Sequence, residues 1–466
     1  MPDPRQILFP DRGERERVED GLTRSLIESI QRITKGRVAP SLNVEDMRAA
    51  LSEFDFGTPR PLEGLLSWTL EKLEHGLVHL THPRYFGLFN PAPVFPAECA
   101  DRVAAALNPQ LASSGTSPAA VEIEAHVIRA IATRAGLPST AFGHFTSGGS
   151  EANYTALLCA LMQSEPGFAE TGTRAFAGDP VFYTSRDCHI AWLKIAHQVG
   201  IGRAALRLVA TDTRGRMRVD ALETLMAADR ALGRVPVMIV STAGTTSAGA
   251  IDPLAQCAQI ARDHGVWHHV DAAWGGAAIA SDRLRPLLGG IELADSVTVD
   301  AHKWFATTMG CGMVLLRQPE ILQRVFQVSA NFMPSNVAGL DPYVTTAQWS
   351  RRFLGLRLFL SLGAAGWAGY AAHIEHAVAL TESIRRRLEA LVWTTVNDPL
   401  LAVLCVAPPA GSRDPAELVR RVVASGNAWV APTRFDGQAV VRICVTNGQS
   451  SDSDVEALVA ALQAAC

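Results

Sequence analysis

Three short stretches carry the side chains that could do chemistry. Thr146-Ser147-Gly148-Gly149-Ser150-Glu151-Ala152-Asn153 opens a helical pattern. Its two glycines allow close backbone approach, and a helix N-terminus offers free N–H groups to an anion, with Ser147 and Ser150 adding hydroxyl donors. It is neither a GxxxxGK[ST] loop nor a GxGxxG fingerprint. Alone, it reads equally well as a glycine turn with a serine cap. His269-Val270-Asp271-Ala272-Ala273-Trp274 puts an acid directly after an apolar run, with small residues beyond that leave room for a flat group. Alone, Asp271 serves as well as a helix cap. Asp300-Ala301-His302-Lys303-Trp304 follows a third run, its lysine 32 residues past Asp271. Buried lysine is costly without a partner, and a snorkelling surface lysine is the bland alternative. Of the 42 basic residues, 38 are Arg and four are Lys (35, 72, 194 and 303), so candidates for amine chemistry are few. His264, His268 and His269 have metal-like spacing. No carboxylate or cysteine completes a site, and alternate strand residues point to opposite faces, so no metal is expected.

An anion cradle, an acid and an amine together fit one cofactor, pyridoxal 5′-phosphate. Its phosphate suits a helix N-terminus, its ring nitrogen a carboxylate and its aldehyde a lysine.

The elements that must position these groups follow from hydrophobic periodicity. Short apolar runs at 181–185, 206–211, 236–242, 267–273, 296–301 and 311–317 alternate with helical patterns at about 150–163, 189–199, 219–230, 253–264 and 318–327. That alternation predicts an α/β fold with a large, mostly parallel sheet covered on both faces, which binds ligands at the carboxyl ends of its strands. Upstream, helices are expected at 18–33, 60–80, 96–107 and 117–135. Residues 330–349 read as a long loop, a type that is often functional. Helices at 350–362 and 370–391 precede a smaller α+β C-terminal domain. The expected division is an N-terminal helical segment 1–80, a large domain 81–349 and a small domain 350–466.

Composition bounds the rest. The 466 residues carry a net charge of −4, with 48% hydrophobic and 19% charged residues, as in a globular protein. Mild acidity gives no footprint for nucleic acid. No apolar run approaches the ~18 residues of a membrane span, and the charged, proline-containing start does not read as a signal peptide. Eight scattered cysteines without CxxC pairs suggest a reducing cytoplasm rather than a disulfide framework.

Over about residues 75–360 the chain resembles the group II pyridoxal-phosphate-dependent amino-acid decarboxylases, which include aromatic-L-amino-acid and glutamate decarboxylases. The resemblance rests on His82-Pro83-Arg84-Tyr85-Phe86, the Thr146–Asn153 run, Gly244-Thr245-Thr246, the His269–Trp274 run and His302-Lys303-Trp304, in this order and spacing. It implies the aspartate-aminotransferase fold (fold type I) and pyridoxal phosphate as cofactor. Lys303 would form the aldimine, and Asp271 would pair with the ring nitrogen. Gly148, Gly149, Ser150 and His302 would hold the phosphate. Ala273 would press one ring face, His189 would stack on the other, and Thr246 would lie beneath. His82, Leu88, Phe89, Asn90 and Arg442 would meet the substrate, Arg442 near its carboxylate. Thr116 and Ser117 fall where the family lines its side-chain pocket. The implied assembly is a homodimer with a shared active site, wrapped by the N-terminal helices.

The implied reaction is decarboxylation of an L-amino acid, with a lean toward an aromatic or bulky apolar side chain, through the Lys303 aldimine and a quinonoid. One departure matters. A gap-free count from Lys303 puts Phe332 where the family has a proton-donating tyrosine. Members with Phe there resemble aldehyde synthases, which couple decarboxylation to oxidative deamination by dioxygen. Tyr343 in the same loop is a substitute donor under a shifted alignment. Another fold-type-I lyase or aminotransferase reaction is a further alternative. A non-catalytic scaffold is the remaining one, against which Lys303 argues.

Overall fold

The computed structural model describes residues 4–40, 43–328 and 341–466. Seven strands form the large sheet: β1 (Phe142–Thr146), β2 (Pro180–Ser185), β3 (Leu206–Val209), β4 (Val235–Thr242), β5 (Trp267–Asp271), β6 (Ser296–Asp300) and β7 (Gly312–Leu316). Their order is β1-β7-β6-β5-β4-β2-β3. The pairs from β6 through β3 are parallel, whereas β7 runs antiparallel to both β6 and β1. β5, β6 and β7 are buried along their whole length, and β5 and β6 carry the polar His268, His269, Ser296 and Thr298 into the interior with them. β1 is not among the six runs, because FGHFT mixes glycine and histidine with its two aromatics.

Register places the chemistry. Thr242 pairs with Asp271, and Asp271 with Thr298, so the carboxyl ends of β4, β5 and β6 lie level. Antiparallel pairing then aligns Asp300, Gly312 and Thr146 across β6, β7 and β1. The helix Gly149–Ser164 starts three residues past β1 and packs over β6 and β7.

A second, antiparallel sheet has the order β10-β11-β9-β8, from β8 (Thr394–Thr395), β9 (Val403–Ala407), β10 (Ala431–Phe435) and β11 (Gln438–Cys444). One hydrophobic core runs through both sheets, from Phe145, Val270 and Val297 to Leu404, Val441 and Leu458. The two helices expected at 350–362 and 370–391 form one element, Gly355–Glu389, broken at Gly366, whose φ of 63° is left-handed. The N-terminal helix extends further than expected, over Arg12–Lys35, with Asp11 accepting from the Glu14 N–H as its cap. A short helix, Val44–Ser52, was not signalled by periodicity. Of the expected loop 330–349, residues 341–349 are described and contain one 3-10 turn, Pro342–Val344. The helix Gly355–Glu389 joins the sheets by packing on the helices Phe95–Leu107, Pro118–Arg134 and Asp452–Ala465.

Candidate active site

A cavity of about 300 Å³ opens at the level carboxyl ends, within the usual size range of small-molecule sites. Its lining includes Gly148, Gly149, Ser150, His189, Thr246, Asp271, Ala273, His302, Lys303 and Phe89. Residues up to 214 positions apart in the chain, Phe89 to Lys303, thus share one concave surface.

Lys303 follows β6 in a tight turn, its N–H bonded to the Asp300 carbonyl. Its Nζ lies 3.0 Å from Asp300 Oδ2. Asp300 is nearly fully buried, so this pairing offsets the cost of the charge. Close approach to Asp300 depends on two glycines. A Cβ on Gly149 would stand 2.8 Å from Asp300 Oδ2, and one on Gly312 would stand 2.7 Å from both Asp300 Oδ1 and the Gly148 backbone. His302 reaches the same corner, its Nδ1 3.0 Å from the Cys311 carbonyl.

Asp271 ends β5. Its Oδ2 accepts from Asn153 Nδ2 at 2.9 Å and its Oδ1 from the Ala273 N–H at 3.2 Å. One donor per oxygen leaves lone pairs for a ligand. His189 sits in the turn before the helix Ala191–Gln198, its Nδ1 accepting the Ala191 N–H at 3.1 Å. Burial pushes its pKa down, against the opposing pull of Asp271, and a neutral ring with an accepting Nδ1 carries its proton on Nε2.

The apolar wall is a stack of three rings. Phe89 lies on Trp274 at 4.2 Å and 12°, and Trp274 on Trp304 at 4.7 Å and 6°. Each such pair contributes about 0.5–1.5 kcal/mol beyond its buried area. Trp274 Nε1 donates to the Leu401 carbonyl, which anchors the stack to the segment before β9.

The remaining predicted residues do not line the cavity. Arg442 lies beside it, buried, with its guanidinium 4.8 Å from the Phe89 ring centre. Its Nε donates to the Thr246 carbonyl and its Nη1 to that of Gly87, while Nη2 is buried without a partner. His82 is fully buried, accepting the Arg84 N–H, and burial pushes its pKa down to about 4. Asn90 donates to Met309 Sδ, and Leu88 is half exposed. Thr116 Oγ1 donates to the Gln110 and Ser113 carbonyls, and Ser117 Oγ donates to the Gln110 carbonyl. Tyr343 packs on Trp349 at 4.7 Å. Phe332 lies outside the described residues.

Sequence reasoning missed several cavity residues. Glu151 accepts the Ser147 N–H and the Gln348 amide at the mouth. Asn153 and Asp300 were inside quoted motifs but had been given no role. Asn153 could have been found, since position i+4 from Gly149 places it on the same helix face.

The residues fit pyridoxal phosphate. The cavity combines an amine, a carboxylate with open lone pairs, a small residue (Ala273) and a helix N-terminus whose glycine cradle an added Cβ would fill. Thr242 Oγ1 adds a polar atom that is buried without a protein partner.

Comparison with known proteins gives a consistent result. The pyridoxal-dependent decarboxylase conserved domain matches residues 47–398. The chain is 32% identical to the L-2,4-diaminobutyrate decarboxylase of Rhizobium meliloti (strain 1021), over 84% of this chain and 79% of that protein. It is 26% identical to the aromatic-L-amino-acid decarboxylase of Bacillus atrophaeus, over 92% and 91%. Among solved structures, mouse CSAD in apo form superposes with a TM-score of 0.91 at 27% identity, covering 98% of this chain and 99% of that one.

Proposed function

The chain belongs to the pyridoxal-dependent decarboxylase family, a pyridoxal-phosphate-dependent carboxy-lyase, and on that premise we propose that it decarboxylates an L-amino acid with an aromatic or bulky apolar side chain. The observation that carries this reading is the convergence of Lys303, Asp271, His189 and the Gly148–Ser150 cradle on one cavity walled by Phe89 and Trp274.

Bound pyridoxal phosphate supplies an aldehyde for amine capture and an electron-accepting ring. Lys303 would hold that aldehyde, and its Nζ, beside Asp300, would be placed to hold a proton once the substrate amine is bound. Asp271 would pair with the ring nitrogen. Gly148, Gly149, Ser150 and His302 would hold the phosphate, and Ala273 and His189 would cover the two ring faces, with Thr246 beneath. Phe89 orients an apolar side chain, and the partnerless Nη2 of Arg442 supports its assignment to the substrate carboxylate. His82, Leu88 and Asn90 shape the segment that carries Phe89. Holding the scissile bond across the ring plane is a matter of position, which these groups supply.

A second reading is carried by Phe332 in the sequence. Phenylalanine cannot return a proton to carbon. In that case amino acid, dioxygen and water give aldehyde, carbon dioxide, ammonia and hydrogen peroxide. The test is the holoenzyme with a panel of L-amino acids, following carbon dioxide, oxygen uptake and peroxide together. Carbon dioxide with amine and no oxygen uptake supports simple decarboxylation. Peroxide matching carbon dioxide selects the second reading, and Phe332→Tyr then moves the products toward amine. A keto acid in place of carbon dioxide overturns both.

We also propose a homodimer. The exposed Leu26, Ile27 and Ile30 on the helix Arg12–Lys35, with Phe95 and Leu107 on the helix Phe95–Leu107, support it. A monomeric mass by light scattering would contradict it. Among the described residues no helix is long and apolar enough to cross a membrane. The eight unpaired cysteines support a cytoplasmic setting.

A further inference from the structure

Behind Asp271 lies a row of buried polar side chains that the reaction as described does not use. Trp267 Nε1 donates to Ser296 Oγ at 2.8 Å. Ser296 Oγ lies 2.8 Å from His269 Nδ1. His269 Nε2 lies 3.0 Å from Asn153 Oδ1, and Asn153 Nδ2 donates to Asp271 Oδ2 at 2.9 Å. Thr298 Oγ1 also donates to Asn153 Oδ1, at 2.7 Å. All these groups are buried.

The direction of every bond in the row follows from its two ends. An indole N–H can only donate, so Ser296 accepts from Trp267; its own hydrogen goes to His269 Nδ1 because a neutral ring with its proton on Nε2, as the Asp271 end requires, leaves Nδ1 only to accept. A carboxylate can only accept, so Asn153 presents its NH₂ to Asp271 and its carbonyl to His269. The proton of His269 is therefore on Nε2. Burial pushes the His269 pKa down to about 4 despite nearby Asp271, which keeps the ring neutral. The other titratable groups that feel Asp271 are His189 and Cys188.

We propose that Trp267, Ser296, His269 and Asn153 are positioning residues: a one-way hydrogen-bond chain from the core of the sheet that fixes the orientation of Asp271 and holds it as an anion. The inference rests on the reading of Asp271 as partner of the cofactor's ring nitrogen. Hydrogen bonds donated to a carboxylate favour its charged form, and in a buried row each bond polarises the next.

The test compares His269→Leu, His269→Gln, Ser296→Ala and Asp271→Asn. Glutamine restores an N–H donor at the position of Nε2, whereas leucine does not. Two readouts are independent of turnover: the tautomer of His269 in ¹⁵N-histidine-labelled apoenzyme, and the affinity of apoenzyme for pyridoxal phosphate. Two more use the loaded enzyme: the ¹⁵N shift of the labelled cofactor ring at neutral pH, and kcat set against KM. We expect His269 protonated on Nε2 in the wild type. We expect His269→Leu and Ser296→Ala to weaken cofactor binding by about ten-fold, to move the ring signal toward the deprotonated form, and to lower kcat with KM nearly unchanged. His269→Gln should recover to within about three-fold. Ser296→Ala barely changes packing, so it gives the answer even where His269→Leu fails to fold. A proton on Nδ1, an unchanged ring signal in Ser296→Ala, or a His269→Gln no better than a folded His269→Leu overturns the chain. Asp271→Asn separates the premises: if it too leaves the ring signal unchanged, the assignment of Asp271 falls along with the chain.

Discussion

Lys303 Nζ and Asp300 Oδ2 stand 3.0 Å apart. The amine therefore has its carboxylate partner three residues before it, at the end of the same strand, while Asp271 keeps its own donors, Asn153 and the Ala273 N–H. Two acids at adjacent strand ends thus have separate tasks.

Asp300 also faces the glycine cradle, where its charge opposes that of an incoming phosphate. Asp300→Asn keeps the shape and removes the charge. The variant apoenzyme should bind inorganic phosphate roughly three- to ten-fold more tightly, measured by calorimetry. Unchanged or weaker binding would show that Asp300 does not set the potential of the cradle.

Gly312 is the tighter of the two glycine contacts. Its added Cβ would meet the Gly148 backbone, whereas at Gly149 the nearest atom ends the Asp300 side chain. Gly312→Ala should weaken pyridoxal phosphate binding by at least about ten-fold, and Gly149→Ala by less, because backbone yields less than a side-chain tip. Fluorescence titration of the two apoenzymes ranks them.

Four buried histidines set the acid limb of stability. Burial pushes His144 and His268 down to about 3, and His82 and His269 down to about 4, from 6.5. Below pH 6.5 the unfolded chain takes up protons that the folded chain refuses, so this contribution is present above 6.5 and lost as pH falls toward the folded values. Asp252, pushed up to about 7 by burial, acts in the opposite sense, its contribution fading as pH rises through 7. Burial also pushes His79, His189 and His373 down and Glu98, Glu124, Asp187 and Asp295 up; the lowered histidines still outnumber the raised carboxyls, so the urea midpoint should drop between pH 6.5 and 4. Both ring nitrogens of His144 are buried without partners. His144→Leu should flatten the limb and, at neutral pH, stabilise by about 1 kcal/mol. A steeper limb would contradict this account.

Arg351 and Glu124 form a buried ion pair at 2.7 Å. Arg351 also donates to the Phe145 carbonyl, and Glu124 accepts the Gly355 N–H, so the pair ties β1 to the start of the helix Gly355–Glu389. Arg351→Met leaves a buried carboxylate alone and should cost about 3–5 kcal/mol in chemical denaturation. Adding Glu124→Gln should return most of that loss; strict additivity of the two changes would argue against direct coupling.

The cavity-lining residues were legible because each motif is local: the glycines, Asp271 and Lys303 lie within a few residues of a strand end, and apolar runs mark strand ends. β1 was not legible, since its place at the sheet edge beside β7 is decided by tertiary pairing rather than by FGHFT. The partners of Asp271 were hidden for a similar reason. Asn153 and Thr298 are 145 residues apart, and only the crossing of a helix over β5 and β6 brings them together. His269 showed a metal-like spacing, and its partners proved to be a serine and an asparagine. Arg442, expected near the substrate carboxylate, lies beside Phe89 but outside the cavity lining, a placement that tertiary packing decides.

The ring stack at the cavity wall gives the protein an optical handle. Trp274 and Trp304 are nearly parallel and shielded from water, and Trp274 lines the cavity itself. Two indoles stacked so closely and in such nearly parallel planes couple their transitions, giving an exciton signature in circular dichroism. A chromophore seated beside Trp274 quenches their emission by energy transfer, so occupancy of the site can be followed in the unlabelled protein.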